Sequence, residues 1–512
     1  MPDPVGGRHH HFQLSRIPLM RRLMFSLSRT RWFGTGWQED DFMRVAMVNL
    51  PHPVRVIRRF MCSYNSPIFL FPPQELMYAA TAVRDWGPRE VTLIDSIARD
   101  LTKEDVLAEL KSFNADVVVT ILGFEILEQD IKVLRWLRQQ LPNTKFVAFG
   151  YYPTEFPEQI LDAAGVDFVI LGEPEYCCHE LLNALEQNTS FEGIMGLCFR
   201  KEDGTFVANP ERPRLKSVDE LPHPDYSMVN IHDYSEFLMP KPFATLQTAR
   251  GCPYGCNFCT RSYGRQLTLR SPENIIDEIR TLVDKFGVRS LRFMDDTFNA
   301  VPARTFKICE GIQKNFPTLV WSALSRIDTM DEERAVAMRK AGCKRVYLGV
   351  ESGSDRILKL YGKDYGVERI PVVFDLLRRN GIEIACFFMV GHPEETPDDF
   401  EQTSKLIRNL EIDFATVGQT VPYPGTELFD RYRDQVDFSL FPYQNEWKSP
   451  GRRKQLQTWE KRFLREMYFR PKYIARHAMR LVKNPSTTWQ AGRALLPFVF
   501  GSGLSTARNE LI

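Results

Sequence analysis

Three cysteines stand within eight residues, in Cys252-Pro-Tyr-Gly-Cys256-Asn-Phe-Cys259, directly after a short apolar run. Three thiolates can hold three irons of a four-iron cluster and leave the fourth iron open to another ligand. An open iron is a place for chemistry. Zinc is the competing reading, because three cysteines and a histidine also make a metal site. Zinc knuckles pair Cys-x2-Cys units, whereas the spacing here is Cys-x3-Cys-x2-Cys, and the nearest histidine in sequence is His232. Glycine and proline among the cysteines argue against ordinary core thiols. The pattern favours an iron–sulfur cluster.

The chain that must position these thiols has 512 residues, enough for two to four domains with real cores. Its net charge of +1 gives no electrostatic case for nucleic acid. Ten irregularly spaced cysteines are too few for a disulfide scaffold and point to a reducing, cytoplasmic compartment. No apolar run reaches transmembrane length. Residues 1–42 form a basic amphipathic N-terminal extension, with Arg8, Arg16, Arg21, Arg22, Arg29 and Arg31 set among Leu, Met, Phe and Trp. Such a segment can lie on an anionic membrane, act as a leader or clasp a domain, so peripheral membrane association is a further expectation. His9, His10 and His11 form a short run with no nearby partner.

Residues 43–185 alternate short apolar runs with helical stretches. Strands are expected at 44–50, 90–95, 116–121, 145–150 and 167–171, and helices around 73–86, 102–112, 125–140 and 156–163. Buried strands alternating with helices make a parallel sheet covered on both faces, here a doubly wound, Rossmann-like α/β domain. Ligands in such sheets bind beyond the carboxyl ends of the strands. Those ends carry Asn49, Asp95, Gly123, Gly150 and Gly172 with Glu173. No Gly-x-Gly-x-x-Gly turn follows the first strand, which disfavours a dinucleotide. The 51–73 stretch is long for a connection and reads as a lid or wall, with His52, Cys62 and Tyr64 as candidate contacts.

Residues 186–243 read as a proline-rich linker, with a hairpin at 194–207 turning at Asp203-Gly204. From 244 to 430 a second series begins. Strands are expected at 244–249, 289–294, 319–324, 345–350, 384–390 and 414–420, with helices in the gaps. Six βα units in this length imply a partial (β/α)6 barrel rather than a closed eight-unit one. The cysteines follow its first strand. Asp295 and Asp296 end the second, Arg326 follows the third, Glu351 and Ser352 end the fourth, and Val390 with Gly391 end the fifth. Active groups in barrels sit at those strand ends. Helix capping is the competing role for polar groups such as Asp296 and Ser352. Residues 431–512 read as a helical, aromatic-rich region that caps the barrel and shapes a substrate pocket.

Thr248-Ala-Arg-Gly-Cys-Pro-Tyr-Gly-Cys-Asn-Phe-Cys259 closely resembles the signature of the radical S-adenosylmethionine enzymes, and Met294-Asp-Asp-Thr297, Gly349-Val-Glu-Ser-Gly353 and Met389-Val-Gly-His-Pro-Glu-Glu-Thr396 agree with it. The resemblance implies a 4Fe–4S cluster on Cys252, Cys256 and Cys259, whose open iron chelates S-adenosylmethionine. It implies one-electron cleavage to a 5′-deoxyadenosyl radical. Phe258 resembles the residue that shields cluster and adenine. Asp295, Asp296, Arg326, Glu351, Ser352, Val390 and Gly391 fall where family members contact the methionine, ribose or adenine.

A doubly wound domain before such a barrel resembles the cobalamin-dependent (class B) subgroup, over about residues 43–430. Phe149-Gly-Tyr-Tyr-Pro-Thr154 and Leu171-Gly-Glu-Pro-Glu175 look like its recurring strand-end elements, although its usual Gly-Gly-x-His is Gly150-Tyr-Tyr-Pro153 here. By that resemblance Asn49, Asp95, Gly123, Gly150, Tyr151, Gly172 and Glu173 are candidate cobalamin contacts. The commonest reaction implied is methyl transfer from methylcobalamin to a substrate carbon radical. The anaerobic magnesium-protoporphyrin cyclase branch, which oxidises or rearranges without methylating, is the alternative. A cluster serving only electron transfer or interaction is a third reading. The expected partners are a small-molecule or lipid-like substrate and an external one-electron reductant such as flavodoxin or ferredoxin, with no nucleic acid.

Overall fold

The computed structural model describes residues 42–60, 63–65, 69–260, 263–437 and 447–483. Most of the N-terminal extension, Cys62 and the apolar segment from Ala494 to Phe500 lie outside them.

The first sheet is built from β1 (Arg44–Asn49), β4 (Glu90–Asp95), β5 (Val117–Ile121), β6 (Lys145–Phe149), β7 (Phe168–Ile170), β8 (Leu197–Arg200) and β9 (Phe206–Ala208), in the order β4-β1-β5-β6-β7-β8-β9. The first five are parallel. Strand runs such as Val117–Ile121 are buried throughout, as a sheet covered on both faces requires. The hairpin expected in the linker forms as β8 and β9, but it pairs antiparallel to β7 and extends the sheet past residue 185. Within the 51–73 stretch, β2 (Val56–Arg58) and β3 (Ser63–Asn65) make a small antiparallel ribbon that the sequence pattern did not announce.

The second sheet has six parallel strands in simple order: β10 (Phe243–Leu246), β13 (Ser290–Phe293), β14 (Val320–Ser325), β15 (Cys343–Glu351), β16 (Glu383–Val390) and β17 (Phe414–Gln419). It is an open, partial barrel. Its helices start where their first turns are capped. Ser271 accepts from the Asn274 amide before Pro272, and Thr396 forms a reciprocal capping box with Asp399 before Pro397. Helix Pro450–Tyr468 then buries Leu456, Trp459, Phe463 and Met467 against the barrel. Helix Pro471–Lys483 follows it.

The two α/β units are not separate bodies. One continuous apolar core runs from Val45, Met47 and Val119 through Phe60 and Phe71 to Phe243, Phe293 and Trp321. Phe71 meets Phe243 at 5.6 Å, and Phe60 meets Tyr263 at 5.0 Å, between ring centroids. Among the described residues no helix is long and apolar enough to cross a membrane.

Candidate active site at the domain seam

After β10 the chain re-pairs as β11 (Ala249–Arg250) with β12 (Thr268–Leu269), and this two-residue ribbon pinches off the loop that carries the three cysteines. Gly251 enters the loop at φ +88°, and a Cβ there would run into the Gln266 carbonyl, so only glycine serves. The Cys252 amide donates to Gly264 O at 3.1 Å. At the far end the Asn257 amide donates to Tyr361 O at 3.2 Å, and the Leu428 amide donates to Asn257 O at 3.1 Å. Cys256 is buried, while Cys252 and Cys259 are half-buried at the barrel mouth. Burial pushes the Cys252 thiol up. The other described cysteines are all buried at Cys177, Cys178, Cys198, Cys309, Cys343 and Cys386. Among the described residues no three Cys, His, Asp or Glu side chains close into a metal cage, so the loop groups the thiols without gathering them. Three clustered thiols remain the donor set a 4Fe–4S cluster takes.

The predicted cofactor residues divide into those that face this loop and those that brace it. Arg326, just after β14, donates from Nη1 to Cys256 Sγ at 3.2 Å and grips Asp328 at 2.8 Å through Nε and Nη2. Its guanidinium lies 3.8 Å from the Tyr254 ring centroid. Phe258 packs edge-on against Tyr361 at 5.1 Å. Glu351 sits at φ +64°, where the β15–β16 register slips, and accepts from Lys363 Nζ at 2.8 Å. Burial alone would lower the Lys363 pKa, but Glu351, together with Tyr365 and Cys256, outweighs it and holds the ammonium charged. That cation lies 5.5 Å from the Phe258 ring, a neighbour that sequence reasoning missed because a single lysine in a turn carries no signal.

Asp295 is a brace. Its oxygens accept from the Thr248 amide at 2.6 Å, the Thr248 hydroxyl and the Ala249 amide at 3.0 Å, which fastens β13 to the cluster strand. Asp296 is different: burial pushes its carboxyl up to about 6 despite Arg59, and Oδ2 has no hydrogen-bond partner. Ser352 is an interior tie, 3.1 Å from Thr403 Oγ1 and accepting from the Ser354 amide, rather than a helix cap. Val390 is buried. The notch at Gly391 (φ +99°) is filled by Leu456, which would stand 2.7 Å from a Cβ, so this backbone meets helix Pro450–Tyr468.

Asn257 Oδ1, Asp296 Oδ2, Ser325 Oγ and Arg214 Nε and Nη2 are buried without hydrogen-bond partners, although Arg214 Nε lies 4.0 Å from Glu173 Oε2. A buried polar atom without a hydrogen-bond partner is uncommon, and a bound ligand is one way to satisfy it. Acceptors at Asp296 and Asn257 with donors at Arg214 fit a zwitterionic, hydroxyl-bearing ligand, which is the chemistry of S-adenosylmethionine.

The strand ends of the first domain close onto the same mouth. Tyr151 Oη donates to Pro424 O. Phe124 meets Tyr423 edge-on at 4.8 Å, and Tyr423 Oη donates to Glu125 at 3.1 Å. Gly172 leaves open space where a Cβ would point. Rings and open backbone at this seam fit the edge of a broad, flat corrinoid. Other predicted contacts are turned inward. Asn49 donates to Asp95 at 2.7 Å and accepts from Arg58 at 2.8 Å, while Tyr234 donates to Asp95 at 2.8 Å. The Gly123 amide donates to Asp130 at 3.3 Å, and Gly150 lies against the Leu122 carbonyl. His52 is occupied locally by Val54.

Glu173 reaches the cluster strand itself. Arg250 donates to Glu173 at 2.9 Å and to Glu175 at 2.6 Å, with Tyr78 and Tyr263 rings 5.3 and 5.1 Å from its guanidinium. Arg250, 1% exposed, thus bolts the Leu171–Glu175 segment to the residue pair that opens the cysteine loop.

The turn after β16 carries a pH-sensitive group. Glu395 accepts from the Gly391 amide through Oε2, its Oε1 has no partner, and burial pushes its carboxyl from 4.5 up to about 7. Between those values the folded chain keeps a proton that the unfolded chain has released, so stability falls as pH rises through that window, by about 3 kcal/mol in all. Glu395→Gln is expected to lose less of its thermal midpoint than wild type between about pH 4.5 and 7, read by calorimetry. Equal losses would show that Glu395 does not titrate there.

Residues 246–407 match the model of the radical SAM superfamily, and residues 68–182 match that of the B12 binding domain. An uncharacterized methyltransferase of Pyrococcus horikoshii is 33% identical over 362 residues, covering 70% of this chain and 78% of that protein. The anaerobic magnesium-protoporphyrin IX monomethyl ester cyclase of Rubrivivax gelatinosus is 26% identical over 382 residues, 73% of this chain and 69% of that one. Among solved structures, the radical S-adenosylmethionine methyltransferase TsrM of Kitasatospora setae, with cobalamin and a 4Fe–4S cluster bound, superposes with a TM-score of 0.61 at 20% identity, over 77% of this chain and 75% of that chain. At that identity the likeness speaks for the fold. The fold and the cysteine loop define a radical S-adenosylmethionine enzyme. The chain belongs to the cobalamin-binding family of these enzymes, whose cofactors are a 4Fe–4S cluster, S-adenosylmethionine and cobalamin.

Proposed function

We propose that this enzyme is a methyltransferase that places a methyl group on an unactivated carbon of a small or lipid-like molecule, with a flavodoxin- or ferredoxin-type protein as electron donor. The observation that carries the reading is the seam. The carboxyl ends of both parallel sheets meet there, through Tyr151 with Pro424 and Glu173 with Arg250, so a group held by one domain is presented directly to the mouth of the other. The 33% identical relative described as a methyltransferase supports it.

With cofactors bound, the chemistry supplied is one-electron cleavage of S-adenosylmethionine and carriage of a methyl group. This chain's residues prepare for it. Cys252, Cys256 and Cys259 would hold the cluster, and Arg326 supplies a charge-assisted hydrogen bond to the Cys256 sulfur. Asp296 and Arg214 offer the unmatched acceptor and donors for a zwitterion. Phe258, Tyr361 and Phe124 keep water from the mouth.

The cyclase relatives favour a second reading, oxidation or rearrangement without methyl transfer. Product analysis separates the two. Anaerobically reconstituted enzyme, turned over with candidate substrates, is expected to release S-adenosylhomocysteine and 5′-deoxyadenosine together and to raise the product mass by one CH2. Deoxyadenosine with an unmethylated product would establish the cyclase-type reading, and a purified holoenzyme free of corrinoid would sink both.

A further inference from the structure

Residues 56–60 stand where the two domains meet. Successive side chains of an extended chain point to opposite sides, and here the two sides are two domains. Arg58, at the end of β2, points into the first domain. Its fully buried side chain pairs with Asp130 at 2.7 Å and donates to Asn49 Oδ1 at 2.8 Å and to Leu50 O at 2.7 Å. Arg59 points into the barrel. Its Nη2 donates at 2.6 Å to Met294 O, the carbonyl directly after β13. Phe60 fills the gap between them: its ring lies 6.5 Å from Phe149 at the end of β6 and 5.0 Å from Tyr263 in the cysteine loop. Three consecutive residues thus touch the strand ends of one domain, those of the other and the seam.

A strand-end carbonyl needs only one donor, and a neutral group would serve. A guanidinium brings a charge whose burial is costly, so the charge needs a use. Glu75 answers it only in part, because Glu75 Oε1 stands 4.0 Å from Arg59 Nε and already accepts from the Phe60 amide at 3.2 Å. The other acid within its field is Asp296, two residues past Met294. Burial pushes the Asp296 carboxyl up, and Arg59 is the strongest charge opposing that push, ahead of Arg214. Asp296 Oδ2 has no hydrogen-bond partner. A carboxylate oxygen in that state is an acceptor for an ammonium group, and S-adenosylmethionine carries one.

We propose that Arg59 is a positioning residue for S-adenosylmethionine, supplied to the barrel by the other domain. It pins the end of β13 at Met294 O and so sets where Asp296 stands to receive the ligand's ammonium group. The barrel's cofactor site is then complete only with residues 56–60 seated in the seam, where Arg58 and Phe60 hold them on the first domain's strand ends. The inference holds whichever product the enzyme makes.

The test is equilibrium dialysis of labelled S-adenosylmethionine against the full-length enzyme, reconstituted anaerobically with iron, sulfide and cobalamin. Iron and corrinoid content are measured on the same samples. Arg59→Met is expected to weaken binding by about tenfold or more while iron and corrinoid stay at wild-type levels. Arg59→Lys, which keeps a cation and a donor, is expected to lose less. A joint fall of iron, corrinoid and S-adenosylmethionine binding in Arg59→Met would make Arg59 a brace of the fold and overturn the proposal. Unchanged affinity in Arg59→Met, or equal losses in the two variants, would overturn it too.

Discussion

Cys256→Ala is expected to abolish S-adenosylmethionine cleavage, with 5′-deoxyadenosine formation falling by at least about 10³-fold, or roughly 4 kcal/mol of lost transition-state stabilisation. Of the three loop cysteines, Cys256 is the buried one, and its sulfur takes the Arg326 hydrogen bond. Alanine removes a proposed cluster ligand and leaves that Arg326 nitrogen without its acceptor. Two thiols cannot replace the three-point attachment that leaves one iron open. Iron content and visible absorbance of the purified protein should fall in parallel with activity. Cys309→Ala provides the control. Cys309 is buried against the barrel helices, so its loss should trim stability without touching cluster content. Deoxyadenosine formation retained in Cys256→Ala would remove the loop from the chemistry.

Arg250→Met should be the most damaging substitution outside the cysteines. It keeps an unbranched apolar stem and deletes the charge, leaving Glu175, whose side chain is 2% exposed, without its cation and Glu173 with only the longer 4.0 Å ion pair to Arg214. Stranding a buried carboxylate in this way costs about 3–5 kcal/mol. The partners lie in different domains, so the damage should appear as lowered thermal stability together with weakened corrinoid retention and a reduced cluster load. Adding Glu175→Gln to Arg250→Met should recover part of the loss, because it removes the stranded charge. Arg250→Met with wild-type stability and cofactor load would show that the ion cluster does not hold the seam.

Most of this architecture was legible in the sequence. Strands such as β1, β5, β6 and β16 stand out as apolar, largely buried runs, and proline after serine or threonine announces helix starts at Pro272 and Pro397. The two-residue ribbon of β11 and β12 was not legible, since it is too short for any periodicity, yet it shapes the cysteine loop. The hairpin at residues 197–208 was visible, but its attachment to β7 depends on partner geometry that a linker composition conceals.

Within the site, spacing exposed the thiols but could not say which polar groups face the loop. Asp295 and Asp296 are adjacent and identical in type. The chain alternates, so one braces the cluster strand while an oxygen of the other stays unmatched. Glu173 and Arg250 lie 77 positions apart, and no local pattern links them. Arg214 and Lys363 entered the site through folding alone.

The apolar core shared by the two sheets has a kinetic meaning. Rings such as Phe60, Phe71 and Phe243 pass from one unit to the other, so parting the two units would expose this apolar surface to water. Substrate arrival and product departure that keep this core closed would run along the flanks of the molecule. A recess of about 490 Å³ opens on one flank, bordered by Asn257 of the cysteine loop and by His392, Leu428 and Tyr432. Traffic through it would need only movements of side chains and loop tips, and would leave the shared core intact.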